Sequence, residues 1–182
     1  MPEGGSAGKG GQVRLSRLGG LAAFLGGAAW TVKGVVILVV GDQPPLLFEM
    51  APALFGMGLL GVASRTMPRS RRRTAATGLA AAAVVAGLVA LVSDRAGEFN
   101  PALVISSLAL LVGLCTLPRR GEWPAQLAWW IGVALVPAVL VGGMLSEVDE
   151  RLLEVPLTCL GVAWMTVGWA LLRQPAVNLT PR

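Results

Sequence analysis

The sequence predicts an all-α polytopic membrane protein: a bundle of six transmembrane helices built from three antiparallel hairpins. Three observations carry that prediction. Charged residues make up only 14% of the 182 positions against 54% apolar, with a mean hydropathy of +0.69, whereas soluble proteins carry about 25% charged residues. The charges that exist leave long gaps. Uncharged runs of 20, 20, 24 and 18 residues follow Arg73, Glu98, Glu122 and Glu154, and a helix needs about 20 predominantly apolar residues to cross a bilayer core. Finally, segments such as LAAAAVVAGLVALVS have no polar face at helical period, which a helix on the surface of a soluble domain requires.

Each element follows in order. Residues 1–17 form a basic, Gly-rich stretch expected to be a flexible tail. Helix 1 is expected over 18–40, where 24 residues between Arg17 and Asp42 contain one charge, Lys33. That run is too long for the apolar region of a signal peptide, which spans about 7–15 residues, so no cleaved signal is expected. Helix 2 covers 45–64, apolar apart from Glu49, and opens on Pro44-Pro45. Proline suits a first turn because its missing N–H has no partner there in any case. Helix 3 spans 75–93. Helix 4 spans 100–117 and opens on Asn100-Pro101, with Asn100 as N-cap. Helix 5 spans 124–146, opens on Pro124 and should kink at Pro137. Helix 6 spans 152–172, with Pro156 near its start, and 174–182 forms a short tail. The connections are short, so successive helices should return antiparallel, and residues 18–173 form a single membrane domain with no soluble domain inserted.

The basic residues predict the orientation. With six spans, both termini and the loops 65–74 and 118–123 share one side. It carries Lys9, Arg14, Arg17, Arg65, Arg69, Arg71, Arg72, Arg73, Arg119, Arg120, Arg173 and Arg182 against the acids Glu3 and Glu122. The other side carries Arg95 and Arg151 against seven acids. Lys and Arg in short loops are retained in the cytoplasm, so both termini are expected there, in the cell membrane. The run Arg69, Arg71, Arg72, Arg73 reads as a contact for anionic lipid headgroups, each arginine worth about 1 kcal/mol near such a surface; docking of an acidic partner is the sharper alternative. The net charge of +5 thus reports polarity across the bilayer. A nucleic-acid partner is not expected, since no aromatic residue interleaves with the basic run.

Lys33 and Glu49 are the ionisable residues deep within predicted spans. Such a charge costs about 2.5 to 3.5 kcal/mol at a helix centre and is a functional candidate whose partner must be named. Lys33 lies about 10 Å below the end of helix 1, and Glu49 about 6 Å below the start of helix 2, so the two are expected to meet. Trp30, three residues before Lys33, offers a cation–π contact. Ser106, Ser107 and Thr158 lie at similar depth and would complete a polar pocket. The pair reads as a structural ion pair, as a ligand or proton site, or as charges snorkelling to the interface. Glu154 reads as a solvated charge favouring the start of helix 6.

Other features point to packing. Trp123 and Trp169 sit where an aromatic belt is expected, while Trp129, Trp130 and Trp164 lie deeper, against helices or lipid. Gly56, Gly58 and Gly61 match a dinucleotide fingerprint by spacing but follow no strand; close helix packing is the expected role, as for Ala82, Ala86 and Ala90. Cys115 and Cys159 lie at different depths, so no disulfide is expected. The absence of His, and of any base beside either thiol, leaves no nucleophilic constellation. No metal site or cofactor is expected.

Arginine outnumbers lysine 13 to 2. With WTVKG in helix 1 and PPLLFEMAPALFGMGLLG in helix 2, the chain resembles the small six-helix membrane proteins of GC-rich bacteria. The resemblance implies the fold and no activity. The expected role is a non-enzymatic accessory, scaffold or regulatory subunit, working with a membrane-protein partner or as a homo-oligomer. The alternative is a small transporter or channel-like permease with a polar site around Lys33 and Glu49.

Overall fold

A computed structural model describes residues 6–41, 47–93 and 100–173, with the side chains of 6–10, 12 and 47–49 outside the description. The elements among the described residues are all helices, with no strand: α1 (Ser6–Val40), α2 (Leu47–Thr66), α3 (Arg71–Ser93), α4 (Pro101–Cys115), α5 (Trp123–Ser146) and α6 (Glu154–Arg173), the last preceded by a 3-10 turn at Glu150–Leu153. Four stretches, Val13–Val40, Arg71–Ser93, Trp123–Ser146 and Glu150–Arg173, are long and apolar enough to cross a membrane.

The ends of the helices are set by local chemistry. Gly41, at φ +91°, closes α1 in the left-handed region that glycine tolerates, and its N–H donates to the carbonyl of Ile37 at 2.9 Å. Asn100 begins α4 as expected. Its side-chain oxygen accepts from the N–H of Ala102 at 3.1 Å, and its amide donates to the carbonyl of Ala90 at 3.0 Å, tying α4 to the end of α3. Asp149 caps the 3-10 turn by accepting from the N–H of Arg151 at 3.0 Å.

Two expected boundaries move. α1 begins at Ser6, so the helix takes in residues 6–17, ahead of the expected start at 18. Adding residues to a formed helix costs little beside nucleation, and Ser16 and Gly19 are buried against α2, with Gly19 meeting Gly61. α4 ends at Cys115, short of the expected 117, because Pro118 bars the residue before it from helical backbone. Its 15 residues extend about 22 Å, less than the roughly 30 Å of a bilayer core. The expected spans at 45–64 and 100–117 are not among the four long apolar stretches found in the described residues.

Small residues set the helix contacts. On α1, Gly19, Ala23 and Gly26 face Gly61, Gly58 and Leu54 of α2, while Gly20, Gly27 and Gly34 face Gly168, Gly161 and Thr158 of α6. In both sets the numbers rise on one helix as they fall on the other, so α1 runs antiparallel to both neighbours. α2 meets α3 through Gly56 against Val84 and Gly87 against Ala53. The packed face of α3 is Ala76, Ala80, Ala83, Gly87 and Ala90, not the expected Ala82, Ala86, Ala90 row: Ala82 is exposed and Ala86 half-buried. Those five positions follow the 3.6-residue period, and a strict four-residue row drifts off the face.

α2 is the inner helix, with Leu59, Val62, Ala63 and Ser64 all buried. Around it, α1, α3, α4 and α5 present large apolar side chains outward, among them Leu25, Val35, Val89, Ile105, Val136 and Leu140. One end of the bundle gathers Arg65, Arg71, Arg72, Arg119 and Arg173, with Arg65 beside Glu122 at 3.8 Å. At that end Arg119 lies over Trp129 at 5.4 Å and Arg173 over Trp169 at 4.1 Å. The other end carries Glu147, Asp149, Glu150 and Arg151; Arg151 lies against Gly41. The acids Asp42, Asp94 and Glu98 and the basic Arg95 lie outside the described residues.

Ser106 of α4 is fully buried, and its hydroxyl donates to the carbonyl of Ala83 in α3 at 2.7 Å. Hydrogen bonds between membrane helices average about 0.6 kcal/mol. Ser106→Ala is therefore expected to lower the melting temperature in detergent slightly, without loss of fold. An unchanged melt would mean that the bond contributes nothing.

Candidate functional site

The site is built around Lys33. Its ammonium donates to Glu154 Oε1 at 2.8 Å, and both residues are buried, 3% and 6% exposed. Trp30 places its ring 5.1 Å from Nζ, giving the expected cation–π contact. Glu154 is the first residue of α6, so the positive end of the helix dipole supports its charge.

This corrects the reading of Glu154 as a solvated end charge. The reason lies in the order of helices. α1 packs against α6, the last helix, as closely as against α2, and Gly34 fits against Thr158 with no room for a side chain between them. That contact carries the neighbouring Lys33 to the start of α6. Glu49 lies in the first turn of α2, and its side chain is outside the described residues.

The other expected residues divide. Ser107 faces the same space as Lys33 and Trp30. Ser106, one residue earlier, turns away to α3. Thr158 turns toward α1 at Gly34, and its hydroxyl oxygen is buried with no hydrogen-bond partner among the described residues. Arg69, Arg71 and Arg72 are exposed at the arginine end, while Arg73 donates to the carbonyl of Met67 at 3.3 Å across the turn between α2 and α3.

The space itself is a cavity of about 490 Å³ lined by α1, α2, α4, α5 and α6. Small-molecule pockets usually measure about 300–1,000 Å³. Its walls are Leu110, Leu114, Ile131, Leu135, Val139, Leu157 and Leu160, with Trp30, Phe55 and Trp164. The three aromatic rings form a row: Trp30 and Phe55 lie 5.6 Å apart, and Phe55 and Trp164 meet edge-on, also at 5.6 Å. Polar character comes from Lys33, Glu154, Ser107 and the indole of Trp164.

Two of these groups are incompletely used. Glu154 Oε2 and Trp164 Nε1 are buried with no hydrogen-bond partner among the described residues. Leaving a buried polar group unpaired costs about 1–3 kcal/mol, and more for a charged one. Both residues line the cavity; what the two atoms lack is a donor at Glu154 and an acceptor at Trp164.

The seam between α4 and α5 closes where Gly132 fits against Leu114. Farther toward the Glu154 end, it opens into a second hollow of about 400 Å³. Ser107, Leu135 and Val139 line both spaces. The outer rim of the hollow is Val104, Leu108, Val136 and Leu140, all exposed. Ser107, Leu135 and Val139 are thus the wall shared by the cavity and a hollow that faces the apolar outside of the bundle.

Among the described residues no three His, Cys, Asp or Glu side chains are grouped to hold a metal ion, and Cys115 and Cys159 are free and exposed. Compared with known protein families, with curated proteins and with solved structures, the chain matches none.

Proposed function

We propose that this chain is a six-span protein of the cytoplasmic membrane, with both termini on the cytoplasmic side, that acts without catalysis. In this reading it is an accessory or regulatory subunit that holds a small membrane-borne molecule in the cavity beside Lys33 and Glu154. The observation that carries the binding role is the pairing of apolar walls with two buried, unpartnered polar atoms. The spanning role is supported by the outward apolar side chains and by arginines gathered at one end. In this reading α2 crosses inside the bundle, shielded from lipid, and α4 crosses where the bilayer thins locally to match its length. Arg69, Arg71, Arg72 and Arg73 would then face anionic headgroups.

Transport is the second reading, and the buried ion pair is the feature that favours it. The lining weighs against ion flow, since aliphatic and aromatic side chains dominate it and hydroxyls are scarce. A transported molecule would be apolar or amphiphilic.

Orientation is tested with single cysteines in a background lacking Cys115 and Cys159. Val148→Cys (82% exposed in the native chain) should react with an impermeant maleimide in intact cells. Ser70→Cys should react only after lysis. The reverse pattern would overturn the orientation. The binding role is tested by mass spectrometry of the protein extracted in mild detergent. A stoichiometric small molecule is expected with the native chain and lost in Leu135→Trp, which fills the cavity.

A further inference from the structure

We infer that the cavity takes an uncharged, hydroxyl-bearing single-chain amphiphile from the bilayer, of the monoacylglycerol or long-chain alcohol class, admitted sideways between α4 and α5. The inference rests on the binding role proposed above and specifies its ligand and its route.

The headgroup is read from the ion pair. Glu154 Oε2 is an acceptor without a partner among the described residues, so the ligand must bring a donor. The place beside it is flanked by both signs of charge, because Lys33 Nζ lies 2.8 Å from the other carboxylate oxygen. An ammonium head would meet Lys33 at close range, and a carboxylate or phosphate head would meet Glu154. In a site of low polarity either repulsion is strong. A hydroxyl donates to Oε2 and adds no charge.

The tail is read from the walls. Beyond the ion pair the lining is aliphatic and aromatic along α4, α5 and α6. Trp164, ten residues after Glu154 on α6, has its Cα about 15 Å deeper, beside the tail, so the head contact belongs to Glu154. A molecule with a polar head and an apolar chain matches this gradient.

The route is read from the shared wall. Ser107, Leu135 and Val139 border both the cavity and the hollow between α4 and α5. The rim of that hollow is exposed and apolar, with Leu108 and Leu140 prominent. A lipid already dissolved in the bilayer can slide through it without its chain meeting water.

The test uses the full-length chain in proteoliposomes and four photoreactive probes. Each carries a diazirine within the same alkyl chain, and the heads are glycerol ester, primary amine, carboxylate and none. The glycerol ester is expected to label peptides of α4, α5 and α6 that line the cavity, about tenfold more than the headless alkane, as a hydrogen bond to a charged group warrants. Unlabelled monoacylglycerol in excess should compete. Ser107→Phe, which plugs the gap from an exposed position, should cut labelling about tenfold, and Val139→Trp should do the same. Gly78→Leu, on α3 and outside both linings, should not.

Equal labelling by the alkane, or stronger labelling by a charged probe, overturns the headgroup assignment and leaves the binding role standing. Undiminished labelling in both plugged variants overturns the lateral route. If no probe labels the cavity of a chain that melts normally, the binding role itself falls.

Discussion

Lys33→Ala is expected to cost about 3–5 kcal/mol of stability, because it strands the buried Glu154 carboxylate without its cation. The loss should appear as a large fall in melting temperature in detergent. Glu154 retains the helix dipole and nothing else among its described contacts to balance the charge. The double variant Lys33→Met, Glu154→Leu should recover most of the loss, since apolar residues of similar volume often replace a buried pair at no net cost. That variant should also lose the glycerol-ester label while remaining folded, separating binding from stability. A Lys33→Ala protein that melts with the native chain would show that the pair does not hold α1 to α6.

Gly27→Leu is the second large effect. A side chain at Gly27 would meet the Gly161 carbonyl oxygen at 2.6 Å and the Met165 backbone nitrogen at 2.6 Å. Both are backbone atoms of α6 and cannot swing aside, so the helices must separate along the seam. Overpacking a core costs about 1–3 kcal/mol even where side chains can adjust; here the loss should exceed that range. Gly78→Leu is the control: nothing lies within 4 Å of its added carbon, and its melt should match the native one. If both variants melt alike, α1 and α6 do not pack as closely as described.

Much of the architecture could be read from the charges. The gaps after Arg73 and Glu122 correspond to α3 and α5, and the Asn100-Pro101 start of α4 was written in its capping chemistry. Helix ends were harder. Arg71–Arg73 entered α3 because Ser70 caps its first turn, accepting from the Arg73 N–H at 3.3 Å, and arginines with charged tips in water cost a helix nothing.

The candidate site was legible in its cation and not in its anion. Lys33 and Trp30 stood out, since a lone charge in an apolar span is conspicuous and a tryptophan one turn away is within reach. Glu154 looked like one of several acids in a polar loop, because its burial depends on a contact between the ends of the chain. Short-range reasoning pairs a helix with its neighbour in sequence. The signal for a second neighbour was the glycine spacing of α1: Gly20, Gly27 and Gly34 form a second seven-residue row beside Gly19 and Gly26. Two rows on adjacent faces imply two close neighbours. The cavity left no trace in the sequence, because it is a volume between five helices and no single helix encodes it.

The seam between the first helix and the last also governs how the protein is made. Thr31 and Met165, which meet across it, lie 134 residues apart in the chain. When α1 leaves the ribosome, its second glycine row has nothing to pack against until α6 follows. If α1 spans the membrane as proposed, the nascent chain would hold Lys33 there, without Glu154, through the synthesis of four intervening helices. A product truncated before Glu154 keeps the cation and an open glycine face together, a pairing that membrane quality control can read as unfinished.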